Sequence, residues 1–142
     1  MSDREEAREL LGIAERELRA LGGMDDRRVF ADEIFGFLVQ QALEKCLKAW
    51  LSIRGLRYRF THEIAELVGQ LDDAGEDTTE LHGLASWTQF AVELRYSGGA
   101  LDVVPIDRPA AISRVESLYG HVKEIVDAAP EEPEAPAEAP PG

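Results

Sequence analysis

One long stretch, Phe30 to Gly55, constrains the fold more than any other part of the sequence. At about 100° per residue, apolar side chains fill about half of a helical circumference and polar side chains fill the other side. The apolar positions are Phe35, Leu38, Val39, Ala42, Leu43, Cys46, Ala49, Trp50 and Ile53, and the polar positions are Glu33, Gln40, Gln41, Glu44, Lys45, Lys48 and Ser52. The stretch has no internal proline, and Arg54-Gly55 supplies a stop. It is therefore predicted to be the central helix of a bundle.

Four further segments show helical periodicity. The first spans about residues 3–21, with Ser2 and Glu5 at the spacing of a capping box and Gly22-Gly23 at its end. The others are a helix capped by Thr61 that closes at Ala74-Gly75, a helix opened by Asp77 and Glu80 that ends near Arg95-Tyr96, and a helix capped by Asp107 that ends near Val126. The pattern predicts an all-α fold, an antiparallel bundle of about five helices with short loops, as one domain over residues 1–129.

Residues 130–142, PEEPEAPAEAPPG, differ in composition from the rest of the chain. They carry four glutamates and no basic residue, so we expect a disordered, acidic, proline-rich tail. The formal net charge of the whole chain is −13, and the body without the tail glutamates is nearer −9. A net charge of this sign repels phosphate backbones and disfavours broad nucleic-acid binding.

Several features bear on location and on cofactors. No apolar run approaches the roughly 20 residues of a membrane span, and the N-terminal MSDREEAREL does not resemble a signal peptide. The single cysteine, Cys46, lies on the apolar face of the central helix and is predicted to be a small buried hydrophobe. We therefore expect a cytoplasmic location and no membrane association.

The sequence has no glycine-rich phosphate loop, and its three histidines are not paired at metal-ligand spacing, so no metal and no cofactor are expected.

Basic residues gather at the end of the central helix and in the segment after it. The members of this cluster are Lys45, Lys48, Arg54, Arg57, Arg59 and His62. They precede the start of the third predicted helix, where backbone N–H groups favour an anion. Two interpretations stay open: a phosphate or nucleotide site, or cations that balance nearby acids on a solvated face. Arg95 is a further candidate anion ligand, because a guanidinium fits phosphate; its alternative role is to complement the dipole of the fourth helix.

The residues of the central helix, with three later features, resemble those of the HEPN-domain family. The matching pattern is Phe37-x-x-Gln40-Gln41-Ala42-x-Glu44-Lys45-x-x-Lys48-Ala49-x-Leu51, a Gly55 loop, Thr61-His62, and Arg95-Tyr96. The resemblance covers roughly residues 8–126 and implies a small helical bundle that commonly forms homodimers. It also implies a nucleotide-binding role, or a partnership with a minimal nucleotidyltransferase as in toxin–antitoxin pairs.

Active toxic members of that family are metal-independent ribonucleases with an Arg-x4–6-His motif, in which arginine holds phosphate and histidine acts in acid–base cleavage. This sequence satisfies the spacing twice, at Arg57–His62 and at Arg114–His121. Active members often have asparagine after the arginine, whereas Tyr58 and Val115 follow here. The sequence-based hypothesis is thus a homodimeric HEPN protein that binds a nucleotide through Lys45, Lys48, Arg57, His62 and Arg95, or that partners a nucleotidyltransferase. A ribonuclease acting on RNA and a purely structural interaction dimer remain the alternatives.

Overall fold

A computed structural model describes residues 2–90 and 105–130 of the chain. It contains α1 (Asp3–Gly22), α2 (Asp32–Ile53), α3 (Ile64–Asp73) and α4 (Arg108–Ala128), with two short 3₁₀ helices at Thr79–Leu81 and Leu84–Trp87. Residues 88–90 are helical up to the edge of the described range. No strand occurs among the described residues, and the predicted all-α bundle is confirmed.

Local signals set most helix ends as predicted. The hydroxyl of Ser2 accepts a hydrogen bond from the backbone N–H of Glu5 at 3.1 Å, and α1 ends at Gly22. The carboxylate of Asp107 accepts from the backbone N–H of Ala110, also at 3.1 Å, and so caps α4. After α2 the chain turns at Gly55, whose φ of +73° lies in the left-handed region that favours glycine.

Two predicted helix starts differ from the structure. Thr61 is predicted to cap α3, but its hydroxyl accepts from Glu63 N–H, and the helix begins at Ile64, two residues later than a Thr61 cap requires. The first N–H of α3, at Ile64, is instead satisfied by the hydroxyl of Thr88 at 3.0 Å, a long-range cap that local spacing does not reveal. The predicted fourth helix is replaced at its start by the two 3₁₀ helices, because Gly83 (φ +87°) interrupts the helical path. The rest of that predicted helix lies outside the described residues.

Helix α2 is enclosed on nearly every side. Its apolar face forms the centre of the core, where Phe35, Val39 and Leu43 have no exposed surface. Parts of its polar face are buried as well: Gln40 is fully buried and the exposed fraction of Glu44 is 4 %. Most of the apolar surface of α2 is therefore covered within the single chain, whereas Ile34 is 48 % exposed. The apolar face of α2 thus gives little reason to expect a dimer, and the homodimer remains a prediction.

The helices around α2 run in directions that determine which side chains meet. Helix α1 lies along α2, and α4 packs against both. Because residues 56–63 run back along α2 without helical structure, α3 starts beside the middle of α2, where His62 O accepts from the Gln40 side chain at 3.0 Å.

The buried guanidinium of Arg108 joins the start of α4 to the α1–α2 connection. It donates to Met24 O at 2.6 Å and to Asp32 Oδ1 at 2.8 Å.

Within the described part of the chain, none of the helices is both long enough and apolar enough to cross a lipid bilayer. Residues 131–142 of the predicted tail, and residues 91–104, fall outside the described residues.

Candidate functional site

The segment 57–62, here called the basic loop, is tied to the bundle on two sides. The side chain of Gln70 on α3 accepts from Arg59 N–H at 3.1 Å and donates to Arg57 O at 2.9 Å. On the other side, Tyr58 reaches α1, where its hydroxyl donates to Glu6 at 2.8 Å. These contacts fix the backbone of the loop, and with it the positions from which the neighbouring arginines project.

The arginines of the basic loop are available to a ligand. Arg57 and Arg59 are exposed, and neither side chain forms an ion pair with any described residue. Arg54, just before the loop, differs because it is paired with the carboxylate of Glu76. Phe60 is fully exposed, with a relative accessibility of 101 %. The loop therefore presents two free guanidinium groups and one exposed aromatic ring.

His62 ends the basic loop and is held by a buried acid. Its Nδ1 lies 2.9 Å from Oε1 of Glu44, and its side chain is 53 % exposed whereas that of Glu44 is only 6 % exposed. Burial by itself would raise the pKa of the Glu44 carboxyl, but hydrogen bonds from Lys48, His62 and Gln40 outweigh burial and hold that pKa below its usual value. A carboxylate in this position fixes the orientation of the imidazole ring and leaves Nε2 without a partner among the described residues.

The two predicted lysines lie behind the loop, in partly buried ion pairs. Lys48 Nζ is 2.9 Å from Glu44 Oε2 and lies over the Tyr58 ring, 5.4 Å from its centroid. Lys45 Nζ is 2.7 Å from Glu17 on α1, and burial raises the pKa of this glutamate although Lys45 opposes the shift. Lys48 thus supports the basic loop through Glu44 and Tyr58, while Lys45 faces α1.

A hydrogen-bonded row of side chains connects the two lysines along α2. Lys45 donates to Gln41 at 3.2 Å, Gln41 donates to Gln40 at 2.7 Å, and Gln40 donates to Glu44 at 3.0 Å. The glutamines of the family pattern are therefore part of the scaffold that places Glu44 beneath His62.

The second Arg–His pair lies elsewhere. Arg114 and His121 both line a pocket of about 150 Å³ between α4 and the 3₁₀ helices. Arg114 donates to His82 O at 2.9 Å, and the His121 ring meets Trp50 edge-on with ring centroids 5.2 Å apart. None of the residues that line this pocket belongs to the basic loop. The structure thus places the two predicted pairs at separate sites.

The remaining predicted site residue, Arg95, lies outside the described residues. Among the residues that the structure does describe, no group of three or more His, Cys, Asp or Glu side chains is arranged to hold a metal ion.

Sequence reasoning missed two residues that shape the site. Gln70 was not singled out because a glutamine on a helix surface has many uses, and its bonds to the basic loop connect residues that are 11 and 13 positions apart. Glu6 lies in the first turn of α1 and accepts from Tyr58 and, at 3.0 Å, from Ser52. Only the adjacency of α1 to the end of α2 could have indicated this role.

The fold and the sequence agree with one protein class, a small helical bundle whose largely buried central helix carries a row of polar side chains and is followed by a basic loop. The sequence model described as the HEPN domain matches residues 7–132, and the chain belongs to the HEPN-domain family. No curated protein and no solved structure matches the chain at a significant level.

Proposed function

We propose that this HEPN-domain protein binds the phosphate groups of a nucleotide on the basic loop. The observation that carries the proposal is that Arg57 and Arg59 are exposed and form no ion pair with any described residue, beside a histidine whose ring is held by Glu44. A planar guanidinium donates two parallel hydrogen bonds to a phosphate, and two arginines spaced two residues apart provide two such donors. His62 Nε2 adds a third donor when the ring is protonated.

The net negative charge of the protein restricts such a site to a small anion in direct contact with the arginines. A formal charge of −13 repels an extended nucleic-acid backbone, but it acts weakly on a small anion held in direct contact with arginines. In this proposal Lys48 contributes indirectly, because it holds Glu44 and Tyr58, and Lys45 contributes least, because Glu17 neutralises it.

We further propose, from membership of the family, that the protein is a cytoplasmic homodimer that works with a minimal nucleotidyltransferase in a toxin–antitoxin-type system. The unpaired basic loop supports this proposal, since a nucleotide bound there would be accessible to a partner enzyme. Co-purification of both proteins expressed from one plasmid tests the partnership, with the protein alone as the comparison for oligomeric state.

Thermal unfolding with a panel of nucleotides tests the nucleotide proposal. A ligand that binds only the folded state raises the melting temperature by mass action. At a ligand concentration one hundred times Kd, the free energy of unfolding increases by about 2.7 kcal/mol. We expect a shift in the unmodified protein that is lost when Arg57 and Arg59 are both changed to Ala. Arg114→Ala is the matched control, because it removes an exposed arginine at the separate pocket. No shift with any nucleotide at millimolar concentration would contradict the proposal and favour the interaction dimer.

A ribonuclease is the second candidate, and the Glu44–His62 contact is the observation that favours it. A carboxylate that holds one ring nitrogen of a histidine leaves the other free to accept the proton of a 2′-hydroxyl, while an arginine holds the phosphate. This candidate predicts cleavage of RNA without added metal that His62→Ala abolishes and Glu44→Gln weakens. If His121→Ala abolishes cleavage instead, the Arg114–His121 pair carries the activity.

A further inference from the structure

The side chain of Gln40 on α2 holds both the backbone and the ring of His62. Its Nε2 donates to the backbone oxygen of His62 at 3.0 Å and to Oε1 of Glu44, also at 3.0 Å. The same oxygen of Glu44 lies 2.9 Å from Nδ1 of the His62 ring. One amide group therefore fixes the histidine directly at its backbone and, through Glu44, at its ring.

The direction of the Gln40 amide is determined at both of its ends. A backbone carbonyl and a carboxylate only accept hydrogen bonds, so they face the NH₂ group, and both of its hydrogens are used there. At the other end, Oε1 of Gln40 accepts from Nε2 of Gln41 at 2.7 Å. The oxygen of Gln41 in turn faces the ammonium group of Lys45, which only donates, at 3.2 Å. The row of hydrogen bonds thus runs in one direction, from Lys45 to Glu44.

Burial distinguishes Gln40 from its neighbour in the row. Gln40 has no exposed surface, so water cannot replace the hydrogen bonds that it makes. A buried amide whose hydrogen bonds are all made is held rigidly. Gln41 is only partly buried, and its side chain bonds to Gln40 and Lys45 rather than to the histidine. Gln40 is therefore the member of the row that acts on His62.

The contacts of Glu44 determine which nitrogen of the His62 ring carries the hydrogen. Lys48 donates to Oε2 of Glu44 at 2.9 Å, and Gln40 donates to Oε1. Although burial opposes it, the hydrogen bonds from Lys48, His62 and Gln40 keep the pKa of the Glu44 carboxyl below its usual value, so this group is an ionised acceptor at neutral pH. Nδ1 of His62 must then supply the hydrogen of the contact. In the neutral ring Nε2 carries none and is an acceptor.

An acceptor at this position selects the kind of group that binds it. The lone pair of Nε2 repels a phosphate oxygen and attracts an O–H or N–H donor. The side chain of His62 is 53 % exposed, so a ligand can reach this nitrogen. In the same loop the exposed Arg57 and Arg59 supply the donors that a phosphate requires. The basic loop thus combines donors for an anion with one acceptor for a hydroxyl group.

We propose that Gln40 is a positioning residue that holds His62 as a hydrogen-bond acceptor for a hydroxyl group of the ligand. The ligand class is then a phosphate compound that also carries a hydroxyl group, as a ribonucleotide does. The position and the ring form of His62 stand on the contacts described above, and only the hydroxyl contact rests on the proposed nucleotide function.

Nuclear magnetic resonance of the histidine ring nitrogens tests the role of Gln40 without any ligand. At about pH 9 histidine rings are neutral, and the spectrum shows which nitrogen carries the hydrogen. We expect the Nδ1–H form of His62 in the unmodified protein, and we expect the Nε2–H form to appear in Gln40→Met, which fills similar space without the donors. Gln41→Met is the matched control, because it removes the neighbouring amide and should leave His62 in the Nδ1–H form. The ring of His121, which packs edge-on against Trp50, reports on the fold in each variant.

Two results of this experiment would overturn the role of Gln40. The first is a dominant Nε2–H form of His62 in the unmodified protein, a measurement that needs no variant. The second is a ring form that stays unchanged in folded Gln40→Met, or that changes equally in Gln40→Met and Gln41→Met.

The hydroxyl contact is tested with ATP and 2′,3′-dideoxy-ATP in the same buffer. We expect the unmodified protein to bind ATP about fivefold more tightly, the effect of one hydrogen bond, and Gln40→Met to bind both nucleotides with similar affinity. Equal affinities in the unmodified protein would overturn the hydroxyl contact and leave the phosphate site intact. If neither nucleotide binds, the nucleotide function and the hydroxyl contact are both wrong, whereas the ring measurements still decide the role of Gln40.

Discussion

The imidazole of His62 lies 2.9 Å from the carboxylate of Glu44, across a gap of 18 residues in the sequence. The histidine is half exposed and the glutamate is almost completely buried. This contact connects the centre of the bundle to the basic loop. An acid that is satisfied by Lys48, Gln40 and His62 together stabilises the fold and sets the orientation of the histidine.

Glu44→Gln should lower the free energy of unfolding by about 3 kcal/mol at neutral pH, because it leaves the Lys48 ammonium buried without its counter-charge. The native pKa of Glu44 is below its usual value of 4.5, so its stabilisation is present above that value and is lost as the pH falls through the native pKa. The deficit of the variant should therefore narrow in acid. Chemical denaturation at a series of pH values measures it.

Glu17→Gln is the matched control for that experiment. Burial raises the pKa of Glu17, so ionisation of this carboxyl costs the folded state stability at high pH. As the pH falls, the unmodified protein should gain stability relative to Glu17→Gln, the opposite trend from Glu44→Gln. If the stability difference between variant and unmodified protein changed with pH in the same direction for both variants, the opposite pKa shifts of Glu44 and Glu17 would be contradicted.

Arg108→Ala should destabilise the fold by about 3–5 kcal/mol, because it removes one partner of a buried ion pair and leaves carbonyl groups unsatisfied. The guanidinium is 4.7 Å from the Phe35 ring centroid and donates to Met24 O, Phe30 O and Asp32. Lysine lacks the planar fork, so Arg108→Lys should rescue little. Arg114→Ala, at an exposed position on the same helix, should change the melting temperature far less in calorimetry.

Gly36→Ala should destabilise the protein by about 1–3 kcal/mol through overpacking. A Cβ at this position would overlap the Phe90 ring, with Cγ and Cε1 of that ring only 2.6 Å away, so the ring must move. Gly12→Ala is the control, because a Cβ there meets nothing within 4 Å. In a helix interior that change should stabilise by about 0.5–1 kcal/mol. Similar effects of the two substitutions on urea denaturation would show that Phe90 does not pack on Gly36.

Cys46 should react with thiol reagents only when the protein unfolds. The residue is fully buried, and burial raises the pKa of the Cys46 thiol to about 12. A coloured disulfide reagent should therefore label it slowly in buffer and at once in denaturant. Rapid labelling of the folded protein would contradict the enclosure of α2.

The sequence predicted the helices because their apolar periodicity and their caps are local. Ser2, Asp107 and Gly55 act within a few residues of their own positions, and the structure confirms each of them. The Thr88 cap of α3 and the burial of Glu44 depend on contacts between distant segments, so periodicity could not reveal them. A polar stripe on a central helix has the same pattern whether water or a loop covers it.

The sequence predicted which residues belong to the candidate site, but it could not predict their positions or their contacts. Spacing identified both Arg–His pairs, and only the structure shows that Arg57–His62 is exposed beside a buried acid whereas Arg114–His121 lines a separate pocket. The structure also distinguishes cations that have the same meaning in the sequence. Lys45 and Lys48 form ion pairs with glutamates, whereas Arg57 and Arg59 form none within the part of the chain that the structure describes.

The most direct test of the account follows the histidine side chains by nuclear magnetic resonance as ATP is added. The three histidines report on different places: His62 on the basic loop, His121 on the Arg114 pocket, and His82 on the connection between the 3₁₀ helices. The account predicts that the ring signals of His62 shift in proportion to the bound fraction while those of His82 and His121 stay in place. A shift of His121 with His62 unchanged, or no shift of any ring, would contradict a phosphate site on the basic loop.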